Sequence, residues 1–361
     1  MTTRVIGVDA RELLGTTTGV GRYLAELLQR WIQRPDAGSR RLILYSPEPL
    51  SPTFTRGCEP TIVAGGRGTS WEQMRLRVRV NEDQPDVFFA PAYTAPLGLS
   101  VPFAVTIHDV SFSAHPEWFR WREGTRRRFV TRRAARAASA VLTDSEFSRR
   151  EIAHYYDVPS ERIEVIAPGV TTRKTIRTEA RQPIVLYAGT LFNRRGLPDL
   201  IAAFALATRD LPLARLVIVG NNRTWPRQDL AAVARTHQVG DRVDLRSYIP
   251  DDELSALYAR ASAFAFLSKY EGFGLTPLEA LSAGVPIVVL DTPVAREVYG
   301  QAAHYVTTGD IDGTAAALRE CLTSPAAASR QLAEAPAILA QYSWDVAASR
   351  TLDVLERIAA R

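Results

Sequence analysis

Short runs dense in Val, Ile, Leu and Phe punctuate the chain, each followed by a longer stretch whose apolar residues fall three or four apart. In the first half the runs lie at 4–9, 42–46, 87–90, 103–107, 140–143 and 163–166. In the second half they lie at 184–189, 216–220, 243–245, 264–267, 287–290 and 304–306. They are nearly continuous in apolar character. A strand with one wet face would alternate, so both faces are expected to be covered, as in a parallel sheet flanked by helices. Between the runs, Tyr23, Leu24, Leu27, Leu28, Trp31 and Ile32 share one helical face. The sets Leu200, Ile201, Phe204, Ala205 and Leu254, Leu257, Tyr258, Ala261 do the same. Strands alternating with helices predict an α/β fold with doubly wound sheets and right-handed crossovers.

The pattern starts twice. Residues 171–181 are polar, carry no core periodicity and precede a fresh strand. A linker there divides the chain into domains at 1–175 and 176–361, with a final helix near 344–360 free to pack back on the first domain. A length of 361 residues accommodates two cores of this kind. The two cysteines, Cys58 and Cys321, are far apart, which excludes a disulfide framework and a cysteine metal site. No apolar run approaches the roughly 18 residues a membrane span needs, and the N-terminus lacks a leader pattern. A cytoplasmic protein, at most peripheral at the inner membrane face, is the expectation.

The net charge of +5 is unevenly spread. Residues 120–136 hold eight arginines against Glu123 alone, so the remainder of the chain is slightly acidic. A generally basic nucleic-acid binder is thereby excluded, and no stacking or groove-reading motif accompanies the charge. The segment has two readings. It is a solvated helix face whose core side is Phe129, Val130, Ala134 and Ala137, or it touches an anionic membrane or a diphosphate-bearing lipid.

The richest local chemistry follows the run at 264–267. Residues 268–286 read Ser-Lys-Tyr-Glu-Gly-Phe-Gly-Leu-Thr-Pro-Leu-Glu-Ala-Leu-Ser-Ala-Gly-Val-Pro. Gly272 and Gly274 bracket Phe273 and permit a tight turn close to a ligand. Thr276, Pro277 and Glu279 have the chemistry of a helix start, and Gly284 with Pro286 ends the helix. A strand, a glycine turn and a free helix N-terminus make an anion site, for which a diphosphate is the natural guest. Glu271 and Glu279 are eight apart and can accept hydrogen bonds from the hydroxyls of one bound molecule. The plainer readings are a capping-box role for Glu279 and a solvated loop acid at 271.

The stretch from Glu271 to Pro286 resembles the Glu-x7-Glu signature of the retaining glycosyltransferases of family 4, which have the two-domain GT-B fold. Further blocks extend the resemblance over nearly the whole chain. They are Thr18-Gly-Val-Gly-Arg-Tyr23, Thr106-Ile-His-Asp109, Asp144-Ser-Glu-Phe-Ser148 and Tyr187-Ala-Gly-Thr190 through Arg194-Arg-Gly196. Ile249-Pro-Asp-Asp-Glu-Leu254 and Arg296-Glu-Val-Tyr-Gly300 are weaker matches. The resemblance implies two Rossmann-like domains facing a central cleft, the first for the acceptor and the second for a nucleotide-sugar donor.

It also implies roles. Glu271 would lie at the donor sugar and Glu279 at the ribose. Backbone N–H groups of Gly272, Phe273, Gly274, Leu275 and Thr276 would meet sugar and phosphate oxygens. Arg195, before Gly196, takes the place of the family's phosphate-binding lysine. Thr190 after Gly189 departs from a common variant that has arginine there, so Arg194 would share the load. His108 would sit beside the reacting carbon. Gly19 and Gly21 would seat phosphate or acceptor, and Tyr248 would edge the base. No metal is expected, nor any cofactor, the donor being a substrate. Asp310-Ile-Asp312 matches the string of a metal motif but reads as a turn.

The expected activity is metal-independent transfer, with retention, of a hexose to a glycan or lipid-linked acceptor. Gly-Val-Gly-Arg-Tyr resembles bacterial mannosyltransferases, so GDP-mannose is the first donor and UDP-glucose the next. The alternatives are a sugar-nucleotide-binding protein without turnover and a nucleotide-dependent oxidoreductase. The latter calls for a Gly-x-Gly-x-x-Gly turn that the chain does not display.

Overall fold

The computed structural model describes residues 3–15, 19–171 and 181–360. It divides into two compact units. The first comprises Met1–Pro116, Trp121–Gly169 and Tyr342–Arg361, and the second Glu117–Arg120 and Val170–Gln341. Most of the polar linker segment, 172–180, lies outside the described residues.

The first unit holds seven strands: β1 (Arg4–Asp9), β2 (Arg40–Ser46), β3 (Glu59–Ile62), β4 (Val87–Ala90), β5 (Phe103–Thr106), β6 (Ala140–Thr143) and β7 (Ile163–Val165). They pair in the order β3-β2-β1-β4-β5-β6-β7, every pair parallel. The second unit holds β8 (Gln182–Ala188), β9 (Arg215–Val219), β10 (Val243–Arg246), β11 (Ala261–Phe266), β12 (Ile287–Leu290) and β13 (Ala303–Val306). Their order is β10-β9-β8-β11-β12-β13, again all parallel. Each sheet reverses its winding once, between β1 and β4 and between β8 and β11. Loops leaving the C-terminal ends of those strand pairs diverge and open a crevice, the place where ligands bind in doubly wound sheets. The fold is α/β, with two Rossmann-like domains.

Two departures from the sequence pattern have physical causes. Strand β3 has no apolar run because it is an edge strand whose residues are mostly exposed, Ile62 among them. Strand β11 begins at Ala261, three residues before the apolar run at 264–267. Ala261, Ser262 and Ala263 are small and buried in the strand, so Ala261 does not extend the stripe of the preceding helix, Asp251–Arg260.

The last helix, Trp344–Ala359, belongs to the first unit. Ser343 caps it by accepting from the Val346 N–H. Its apolar face joins the core formed by Ile6 and Val8 of β1 and by Leu24, Leu27 and Trp31 of the first helix, Val20–Gln33. The Trp31 indole N–H donates to the Ala348 carbonyl at 2.8 Å, which fixes the register between these helices. Leu355 is fully buried in this core. Leu355→Ala should destabilise the protein by about 3 kcal/mol through lost burial and a residual cavity, read as a lower denaturant midpoint in equilibrium unfolding.

Candidate active site

The second unit's crevice is built from the loops after β8 and β11. The first runs Gly189-Thr190-Leu191-Phe192-Asn193 into a 3-10 turn, Asn193–Arg195. The second runs from Leu267 to Gly274. The two loops meet through charge. Arg195 Nη2 donates to Glu271 Oε2 at 3.2 Å, and Arg195 Nε lies 3.0 Å from Glu271 Oε1. The Ser268 hydroxyl donates to Glu271 Oε1 at 2.6 Å, and Arg195 Nη1 donates to the Tyr187 hydroxyl at 3.3 Å. The guanidinium lies over the Phe266 ring, 4.8 Å from its centroid. Burial opposes the charge of Arg195, but the Glu271 carboxylate and Tyr187 outweigh it and push the pKa up. Arg195 is a fixed cation, 13% exposed beside a carboxylate that is 15% exposed. Gly189 is required by this packing: at φ +145° it turns the chain off β8, and a Cβ there would stand 2.6 Å from Arg195 Nη1.

Arg194 has a different setting. Its Nε donates to the Tyr270 carbonyl at 3.2 Å, and its guanidinium lies over Phe192 at 4.6 Å. It stands 3.9 Å from Glu271 Oε1 and is almost wholly buried. The Arg194 carbonyl also accepts from the Lys269 N–H at 2.9 Å, so the residue braces one loop on the other. The Thr190 carbonyl accepts from the Tyr187 hydroxyl at 3.1 Å.

The helix after this loop is Leu275–Ser282, and its N-cap is Gly274, not Thr276. Gly274 adopts φ +98°, and a Cβ there would lie 2.1 Å from the Tyr299 hydroxyl, which donates to the Gly274 carbonyl at 2.9 Å. A left-handed glycine thus starts the helix two residues early. Pro277 falls third in the helix, where its missing N–H is still one of the unpaired donors. Glu279 consequently sits in the second turn, buried, and is not a capping-box residue. No side chain caps the helix. Its first N–H groups, with those of Phe273 and Gly274, form the anion-favouring end.

On the other side of β8, a cavity of about 510 Å³ opens at the ends of β9 and β10, lined by Leu191, Gly220, Asn222, Gln228, Leu245 and Ser247 among others. The Gln228 side-chain oxygen is buried there without a hydrogen-bond partner. Tyr248 does not line this cavity; its side chain is 66% exposed beyond the end of β10. Gln228, Ser268, Tyr187 and Tyr299 carried no role in the sequence reading. Gln228 and Tyr299 reach these loops from elements distant in sequence.

His108, Gly19 and Gly21 belong to the first unit. His108 follows β5, and both of its ring nitrogens face acceptors. Nδ1 donates to Asp144 Oδ2 at 2.8 Å and Nε2 to the Pro91 carbonyl at 3.0 Å. Burial works against the charged ring, but Asp144 and the Pro91 carbonyl prevail and raise the pKa. Tyr23 and Tyr93 meet the ring edge-on at 5.1 and 5.5 Å. Gly19 is the N-cap of the first helix and Gly21 is buried within it. Thr16 to Thr18 of that loop lie outside the described residues.

The arginine-rich segment forms the helix Trp121–Ala137, whose buried side is Gly124, Val130, Thr131, Ala134 and Ala135. Phe129 and Ala137 are exposed, contrary to the sequence reading. The burial stripe is shifted by one position because small residues, not Phe129, fit against the domain. Arg132 and Arg136 both pair with Asp157, and Arg128 donates to the Phe112 carbonyl. No helix among the described residues is long and apolar enough to cross a membrane. Asp310, expected in a turn, caps the helix Ile311–Thr323 by accepting from the Gly313 N–H at 2.8 Å.

Two parallel-sheet domains, each with its crevice at the winding reversal, and a Glu-x7-Glu loop locked to a buried arginine define a glycosyltransferase of the GT-B class. The family models described as "Glycosyltransferase Family 4" and "Glycosyl transferases group 1" match residues 17–174 and 171–337. The chain belongs to glycosyltransferase family 4. It is 28% identical to O-antigen chain mannosyltransferase B of Escherichia coli over 69% of this chain and 68% of that protein. It is 29% identical to a Mycobacterium tuberculosis glycogen synthase over 87% and 79%. A GDP-mannose-dependent alpha-(1-6)-phosphatidylinositol monomannoside mannosyltransferase of M. tuberculosis is 29% identical over 78% of each chain. Among solved structures, sucrose-phosphate synthase from Thermosynechococcus elongatus superposes with a TM-score of 0.78 over 99% of each chain at 18% identity.

The His108–Asp144 pair has a defined pH signature. A histidine whose folded pKa is raised contributes stability that is fully present below the ordinary value of 6.5 and is lost as pH rises through the elevated one. The ring resonance of His108 in NMR should titrate above that value, and Asp144→Asn should lower the midpoint.

Proposed function

We propose that this glycosyltransferase moves mannose from GDP-mannose to a glycan or lipid-linked acceptor, with retention of configuration and without a metal ion. The observation that carries the reading is the Arg195–Glu271–Ser268 cluster beside the uncapped helix N-terminus. In this reading the donor diphosphate lies against the N–H groups at Gly274 to Thr276 and against Arg195, with Arg194 bracing the loop. The Glu271 carboxylate, oriented by Ser268 and Arg195, accepts from hydroxyls of the donor sugar. Glu279 accepts from the ribose, and the base enters the cavity at the ends of β9 and β10, near the free amide of Gln228. His108, its ring held by Asp144 and the Pro91 carbonyl, stands beside the reacting carbon in this reading.

As the bond from the anomeric carbon to the phosphate oxygen breaks, the nucleoside diphosphate gains negative charge. Arg195 and the helix N-terminus are preorganised to stabilise it, a task a divalent cation performs in other transferases. The acceptor oxygen bonds to the anomeric carbon on the face the phosphate leaves, and its proton passes to the departing phosphate oxygen. Configuration is thereby retained. The GDP-mannose-dependent relative favours GDP-mannose, with UDP-glucose as the competing donor.

Donor consumption measured over GDP-, UDP- and ADP-sugars should be highest with GDP-mannose and unchanged by EDTA; strong EDTA inhibition would overturn the metal-independent step. Glu271→Ala should lower turnover by about a hundredfold or more with the fold intact. Glu279→Ala should mainly weaken nucleotide binding, by about tenfold in calorimetry.

A further inference from the structure

We propose that the second unit carries an anion site at the strand ends opposite the Arg195–Glu271 crevice, and that it takes a small organic phosphate, a phosphate monoester on a flat apolar body. The site is independent of the donor and of the transfer reaction. A cavity of about 560 Å³ opens between the helices Leu197–Ala207 and Leu230–Thr236. Its residues Arg209, His237 and Arg242 lie on the connections that lead into β9 and β10, whereas the crevice opens where β8 and β11 end. None of its lining residues has a role in the chemistry described above. Its volume falls within the range usual for small-molecule sites.

The charge is of one sign. Two arginines and a histidine line the cavity, and among the described residues no acid does. Arg242 is half-buried and fixed. Its Nη1 donates to the Thr208 carbonyl at 3.1 Å, the Thr208 hydroxyl at 2.9 Å and the Leu211 carbonyl at 3.3 Å, and the guanidinium lies 5.5 Å over the Phe204 ring. All three acceptors are neutral, so no carboxylate offsets the charge. A purely structural arginine is used more fully: Arg181 spends both Nη atoms on carbonyls of its own domain. Arg242 leaves Nε and Nη2 without a partner among the described residues. Arg209 and His237 are exposed, and neither makes a hydrogen bond or ion pair among the described residues. Asp210, the neighbour of Arg209, is no counter-charge, because Arg319 occupies both of its carboxylate oxygens at 2.5 and 2.7 Å.

A guanidinium held by one nitrogen presents its remaining N–H groups as a fork, the geometry that suits phosphate oxygens. Cations lining one cavity repel each other, and an anion between them relieves that repulsion. The rest of the wall is apolar, from Ala202, Ala205, Leu206 and Val239. Ala202 and Ala205 face away from the buried stripe of Leu200, Ile201 and Phe204 on the same helix, and their short side chains leave the recess open. Inorganic phosphate would leave these walls wet. A flat apolar body attached to it covers them, and the area withdrawn from water adds to the affinity.

The test is calorimetry of the full chain with phenyl phosphate, inorganic phosphate and phenol as probes. Phenyl phosphate should bind about tenfold or more tightly than either of the others, and saturating GDP or UDP should not displace it. Arg209→Gln with His237→Gln, both exposed, should weaken phenyl phosphate by about tenfold. Ala205→Leu fills the recess and should bring phenyl phosphate down to the affinity of inorganic phosphate. Arg242 is kept in these variants because it braces the Thr208–Leu211 turn. Both variants should keep the melting temperature and the affinity for GDP and UDP of the parent chain. Failure of phenyl phosphate to bind, equal binding of inorganic phosphate by the parent chain, displacement by GDP or UDP, or full binding by the double variant would each overturn the proposal. The donor and transfer assays above have no bearing on these outcomes, so the two readings stand or fall separately.

Discussion

The contact between Arg195 and Glu271 is the constraint around which the second domain's chemistry is organised. It joins a loop leaving β8 to a loop leaving β11, the two strands where the sheet changes direction. A charged pair this far from water is costly, and removing one member strands the other. The chain meets that cost with further partners: Ser268 for the carboxylate, and Tyr187 and the Phe266 face for the guanidinium. Such over-determination fixes both groups in place. Glycine at 189 and at 274 serves the same end, one admitting the guanidinium and the other the Tyr299 hydroxyl.

Much of this was legible in the residues. The apolar runs located nearly all the strands, because strands buried on both faces leave no polar positions to confuse the pattern. The Glu-x7-Glu loop and its glycines announced a turn followed by a helix. Less legible was where that helix starts. Thr276, Pro277 and Glu279 form a persuasive capping pattern, yet a left-handed Gly274 begins the helix earlier and carries Glu279 into the second turn. Side-chain partnerships across the fold could not be read at all. Nothing local marks Asp144 as the partner of His108; they meet because the adjacent parallel strands β5 and β6 end at the same level.

The first domain reaches the same architecture with a different distribution of charge. Its crevice carries a buried guanidinium between two acids and a rim of arginines, where the second carries one dominant pair. The arginine-rich helix is accordingly two things at once. Arg128, Arg132 and Arg136 tie it to its own domain, while Arg126 and Arg133 keep their charge outward. A sum over the segment hides that division of labour.

The return of Trp344–Ala359 to the first core has a consequence for biogenesis. A ribosome makes the N-terminal sheet first, but Leu352, Leu355 and Ile358, which cover part of its apolar layer, emerge only after the entire second unit. The domain begun earliest is therefore sealed last. During synthesis its leucines and Trp31 stay uncovered on that side until the last helix arrives.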